Sequence, residues 1–127
     1  MSNSLKISSR WQFLRGSIIA RQNSMTETTV TTTSELNLDS TQVVGTTHEL
    51  IAVGDVTDDA VAIIENLHAT ATVLVGGDSA GAFVEWFSIP PGYPAAIIPQ
   101  VGALASTYLK ASAASTPVRV TLVKVTV

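Results

Sequence analysis

The sequence predicts an all-β fold: a single antiparallel β-sandwich or jelly-roll-like barrel that carries an N-terminal extended arm. Three observations lead there. Threonine and valine recur throughout the chain, and their branched Cβ atoms favour the pleated, half-buried surface of a sheet. Short strand-like segments recur about every 8–12 residues with Gly-, Pro- and Asp-containing turns between them, the rhythm of sandwiches and barrels. The longest apolar stretch, Pro94 to Ala105, is broken by Pro99 and Gly102, so it is neither a long helix nor a membrane span.

Taken in order, residues 28–33 (Thr28, Thr29, Val30, Thr31, Thr32, Thr33) read as an exposed or edge strand. His48 to Gly54 reads as a strand ended by Gly54-Asp55. Val61 to Leu67 and Thr72 to Val75 are two more; one or two helical turns over 61–67 fit the period, but β-branched content favours a strand. Gly76 to Gly81 reads as a glycine-rich hairpin connection, because glycine supplies the positive φ angles of tight turns. Ala82 to Ile89 is stopped by Pro90-Pro91-Gly92. Pro94 to Ile98, Ser106 to Ser112 and Val118 to Val127 complete the set.

Two strands carry extra information. Phe83-Val84-Glu85-Trp86-Phe87 is apolar on both faces except at Glu85, which predicts a strand between two layers or one covered by a neighbouring subunit. On this reading Phe83, Val84, Trp86, Phe87, Val120 and Leu122 are buried. In the last strand the apolar phase flips at Leu122-Val123: either a β-bulge restores one face, or Val123, Val125 and Val127 turn toward a partner.

The N-terminal 22 residues admit three forms: an extended arm, a strand pair turning at Gly16, or a short helix. Their charge is distinctive. Lys6, Arg10, Arg15 and Arg21 all precede the first acid, Glu27, so residues 1–26 carry +4; the other three cations and ten acids leave −7 on residues 27–127. The chain divides accordingly into a basic arm, 1–26, and a β-sandwich domain, 27–127. Opposite charge suggests docking of one copy's arm on another copy's body. Lys6, Arg10, Trp11, Phe13, Arg15 and Arg21 are therefore expected at a partner interface, since Trp and Arg are favoured anchors there.

Composition excludes several functions. Charged residues are 13% of the chain, against about 25% in ordinary soluble domains, and the mean hydropathy is +0.35; a homo-oligomer or a subunit buried among neighbours fits. Without cysteine there is no disulfide, thiolate metal site or thiol nucleophile. The polar N-terminus lacks a signal-peptide core. Cations outside the arm are only Lys110, Arg119 and Lys124, so neither nucleic acid nor membrane is an expected partner. Gly77-Asp78-Ser79-Ala80-Gly81 matches the nucleophile elbow, but a strand rather than a helix follows, and no histidine occurs after His68. The order His48, Asp58 or Asp59, Ser79 also imitates a serine-protease triad in a chain too short for two barrels. The expectation is a polar hairpin loop and no enzyme. Asp55, Asp58 and Asp59 lack a calcium-loop pattern, and His48 and His68 stand twenty residues apart without further ligands at metal spacing; no cofactor or metal is expected.

Gly45-Thr46-Thr47-His48-Glu49-Leu50, Gly54-Asp55-Val56-Thr57, Ile64-Glu65-Asn66-Leu67, Val73-Leu74-Val75-Gly76, Phe87-Ser88-Ile89-Pro90-Pro91-Gly92-Tyr93 and Tyr108-Leu109-Lys110-Ala111 together resemble small β-sandwich structural proteins of tailed bacteriophages. The likeness spans about residues 28–127 and departs from the family pattern at His68, Ala71 and Tyr93. It implies a virion protein assembled in the host cytoplasm, foremost a capsid decoration (cement) protein that bridges major capsid subunits. Within that class the alternative is a neck, tail or fibre subunit. A different class, a carbohydrate-binding β-sandwich, would use Trp11, Trp86 and Tyr93 as a stacking platform.

Overall fold

The computed structural model describes residues 3–23, 26–32, 37–54, 56, 60–101 and 106–124. Twelve strands form among them: β1 (Asn3–Ser9), β2 (Gln12–Arg15), β3 (Ile18–Gln22), β4 (Thr26–Thr32), β5 (Asn37–Val44), β6 (Glu49–Leu50), β7 (Ala60–Asn66), β8 (Val73–Ser79), β9 (Ala82–Ile89), β10 (Ala96–Val101), β11 (Tyr108–Ala111) and β12 (Thr116–Lys124). Eight of these pair into two four-stranded antiparallel sheets, in the orders β10-β7-β12-β5 and β6-β11-β8-β9. The sheets bury a common core between them, which makes the body a β-sandwich.

Alternation explains the core. In β12, Val118, Val120 and Leu122 are fully buried, and in β7 Ala60, Ala62 and Ile64 point to the same core; Val73, Val75, Leu109 and Ala111 meet them from the other sheet, while Val61, also fully buried, lies on the opposite face of β7 and outside that cluster. Burial of the larger of these side chains contributes roughly 1.5–3 kcal/mol each. The ladder of β12 with β5 and β7 runs without a shift through Val123. No bulge therefore corrects the apolar phase, and Val123 joins Arg119 and Thr121 on the outer face. Val125 and Val127 lie outside the described residues.

The expected strand over 48–54 shrinks to Glu49–Leu50. Its cause is the Gln42 side chain of β5, whose Nε2 donates to Leu50 O at 2.9 Å while its Oε1 accepts from Ala52 N at 2.9 Å. That amide takes the backbone groups a longer ladder would need. Pro99, which looked like a break, sits inside β10. It is tolerated because β10 is an edge strand whose register shifts between Ile98 and Val101.

The glycine-rich connection is also shorter than expected. Gly76 and Gly77 belong to β8, and only Ala80-Gly81 forms the turn, both at positive φ (53° and 88°), as a type I′ hairpin requires. The glycines serve a bulge: Val75 faces Phe87 but Gly76 faces Glu85, leaving Trp86 as the extra residue. A Cβ on Gly76 would lie 2.0 Å from Val84 O, and one on Gly77 would lie 3.1 Å from Trp86 Cζ2.

β9 closes one edge of its sheet, so burial of both its faces is not realised. Phe83 and Phe87 are partly buried, whereas Val84 and Trp86 are exposed. An edge strand has a neighbour on one side only, and the bulge tips Trp86 over Gly77 rather than into the core.

Between β7 and β8 the chain turns on two polar side chains. Buried Asn66 donates from Nδ2 to Ala71 O (2.8 Å) and Ile89 O (2.9 Å), and its Oδ1 accepts from His68 N (2.9 Å). His68 Nδ1 accepts from Thr70 N and Ala71 N. Truncation by Asn66→Ala strands three backbone groups and is expected to cost about 3 kcal/mol, read as a lower urea midpoint with an unchanged m-value. Gly76→Ala forces a methyl group onto a backbone carbonyl. It is expected to cost about 2–3 kcal/mol and to increase hydrogen exchange in β8 and β9 before the rest of the sandwich.

Candidate functional site

The four strands outside the sandwich make a separate β-ribbon. β1 pairs with β4 from Asn3↔Thr32 to Ser9↔Thr26, and β2 pairs with β3 beyond it. Residues 12–22 thus realise the strand pair turning at Gly16, whose φ is +64°. The strand expected at 28–33 is β4, which hydrogen-bonds to β1 and not to a sandwich sheet.

Asn23 joins the two ladders. Its Oδ1 accepts from Trp11 N at 2.8 Å, its Nδ2 donates to Ser9 O at 3.2 Å, and its own N donates to Trp11 O at 3.2 Å. One side chain thereby satisfies backbone groups where the strands lose pairing at the junction.

The far end of the ribbon is apolar and exposed: Trp11, Phe13, Leu14, Ile18 and Ile19 are 48–72% accessible. Large apolar side chains grouped this way mark a docking surface. Phe13 lies opposite Arg21, and Arg15 opposite Ile18, with a one-residue shift between them. Alternation puts these four on one face, an apolar surface studded with two guanidinium groups. Among the described residues Arg10, Arg15 and Arg21 have no ion pair, while Lys6 lies 4.0 Å from Glu27 across the β1–β4 ladder. That exposed pair contributes little. Of the expected interface residues, then, Arg10, Trp11, Phe13, Arg15 and Arg21 collect on one end of the ribbon, Lys6 sits nearer its base, and Val123 belongs to the sandwich. Sequence reading missed Leu14, Ile18 and Ile19; their grouping about Gly16 was the available signal.

A second cluster lies on the sandwich. His48, in the β5–β6 connection, places Nε2 2.7 Å from Asp78 Oδ2. Its ring stands 5.6 Å from Phe83 and, edge-on, 5.2 Å from Tyr108, and Lys110 Nζ lies 5.6 Å from the Phe83 centroid. Asp78 Oδ1 also accepts from Gly81 N at 2.9 Å. The bonds from His48, and then from Gly81, hold the Asp78 carboxyl below the usual range. The elbow-like pentapeptide is thus strand–turn–strand, and Ser79 follows Asp78 in a strand, so its side chain points to the opposite face from the His48–Asp78 pair. Asp55, Asp58 and Asp59 lie outside the described residues. On the other sheet, Arg119 grips Asp39 with Nε to Oδ1 at 3.0 Å and Nη2 to Oδ2 at 2.8 Å. That fork lowers the Asp39 pKa and raises that of Arg119.

No family model matches the chain, and neither the curated proteins nor the solved structures include a match to it.

Both depressed carboxyl groups bind protons less readily folded than unfolded. Their stabilising effect is complete above the unfolded value of about 3.9 and is lost as pH falls through the lower folded values. The urea midpoint is expected to fall as pH drops below about 4. A variant with both Asp39→Asn and Asp78→Asn is expected to show a flatter profile below that pH and a lower midpoint at neutral pH.

Proposed function

We propose that this protein is a structural subunit of a tailed-phage virion, a capsid decoration protein that stabilises the shell by docking on major capsid subunits. The observation that carries this reading is the exposed apolar and cationic end of the β2–β3 ribbon. Aromatic and arginine side chains displayed together are the usual anchors of protein interfaces, and a ribbon standing outside the sandwich sheets suits contact with a neighbour. Low overall charge and a self-contained sandwich are in keeping with a subunit repeated over a shell, where many modest contacts act together. The phage class itself is taken from the sequence resemblance of residues 28–127 described above. A neck, tail or fibre position would use the same docking end.

One observation favours a different reading. Trp86 is 54% exposed and Tyr93 62%, as a carbohydrate-stacking module would require. Trp11, the third member of that platform, belongs instead to the ribbon. Capsid docking uses the larger set of exposed side chains and is preferred.

The test compares shells assembled with and without the protein. Complete shells are expected to retain DNA at higher temperature and through osmotic shock, and re-addition of the wild-type protein to be restorative. Re-addition of a Trp11→Ala, Phe13→Ala, Ile18→Ala variant is expected to fail. Equal resistance of both shells would remove the cement role, and specific retention on a glycan array lost in Trp86→Ala would establish the carbohydrate reading.

A further inference from the structure

The ribbon end is a surface without a partner, and its charge identifies one. No acid occurs before Glu27, so two ribbon ends repel each other, and two acidic sandwiches repel likewise. Only ribbon against sandwich is attractive.

Among the described residues the sandwich offers one matching place. Its strand β9 ends the β6-β11-β8-β9 sheet, so its outer edge is open to a further strand. Exposed Val84 and Trp86 lie on one face of that strand and Glu85 on the other. Other described sandwich acids are engaged: Asp39 by Arg119, Asp78 by His48, and Glu49 by Gln42, while Glu65 is near enough to Arg119 to raise its pKa. Among the described residues Glu85 has neither an ion pair nor a side-chain hydrogen bond. The ribbon, a two-stranded sheet, likewise has open outer edges.

We propose that the β2–β3 end of one copy docks along β9 of a second copy, extending its sheet, with Arg15 and Arg21 on the side of Glu85 and Leu14 and Ile19, on the ribbon's other face, beside Val84 and Trp86. The inference rests on the reading of the ribbon as a protein-docking element and names a second copy as one of its partners. Strand addition supplies backbone hydrogen bonds, the apolar side chains supply burial, and the arginines fix which surface is chosen. The contact joins unlike surfaces, so copies link head to tail.

Sedimentation of the full chain at increasing concentration tests it. Wild type is expected to self-associate, more weakly as salt rises. The Arg15→Glu, Arg21→Glu variant and the Glu85→Arg variant are each expected to weaken association at least tenfold, and a mixture of the two to recover it. Misfolding cannot produce that recovery. Because the chain has no cysteine, Gln22→Cys and Ala82→Cys provide unique handles; a bis-maleimide is expected to join them in a mixture of the two variants and not in either variant by itself.

A wild type that stays monomeric at 100-fold the concentration of the expected transition, indifference to the charge reversals, or cross-linking of Gln22→Cys to itself would each overturn the proposal. So would a monomer that binds anionic phosphatidylglycerol vesicles or single-stranded DNA through the same arginines. Shell protection separates the two readings: a monomer that still protects shells ends the self-docking inference and keeps the cement role, and self-association without shell protection does the reverse.

Discussion

The sandwich depends on the buried amide of Asn66. It stands at the end of β7 in one sheet and bonds to Ile89 O at the end of β9 in the other, while also fixing the turn that leads into β8. Apolar packing between the sheets is non-directional and would permit sliding. A side chain with three partners, two of them carbonyls on different segments, sets the register of one layer against the other, because any shift leaves buried polar groups unsatisfied. The β8–β9 hairpin then projects from a fixed origin. Its edge, its bulge and the His48–Asp78 contact all take their positions from that point.

The fold class and most of the strands were legible in the sequence because both rest on local signals. The β-branched run in 61–67, alternation in 116–122 and the Pro90-Pro91-Gly92 stop are properties of short segments, and they specify strands whatever surrounds them. Features that depend on distant partners were not legible. Gln42 cuts the β6 strand short from seven or more residues away in sequence. Burial of Trp86 was wrongly expected because sheet order, which makes β9 an edge, is a long-range property. Gly76 and Gly77 looked like a turn since glycine marks turns and bulges alike, and only the approach of the Val84 carbonyl tells them apart. For the candidate site, the separation of charge was plain from residue order, but the ribbon's apolar end required pairing across Gly16 to bring Phe13, Leu14, Ile18 and Ile19 together. The proximity of His48 and Asp78, thirty residues apart, had no signal in the sequence at all.

The distribution of polar groups separates two kinds of surface. On the outer face of the β10-β7-β12-β5 sheet, Arg119 and Asp39 satisfy each other across a strand pair, and the charges are neutralised in place. At the ribbon end and on β9 the charges have no partner among the described residues. Edge protection follows the same division: β10 carries Pro99 and a register shift, both obstacles to strand addition, whereas β9 has a bulge but remains long.

Asn23 has a consequence for larger assemblies. The amide holds the joint between the two ladders of the ribbon, and so sets the angle between the docking end and the base from which it springs. In a head-to-tail series of copies that angle is repeated at every step. A rotation that divides a full circle closes the series into a ring, and any other rotation winds it into an open filament. The geometry of a many-subunit object, its curvature and its pitch, would then be encoded in the rotamer of a single asparagine.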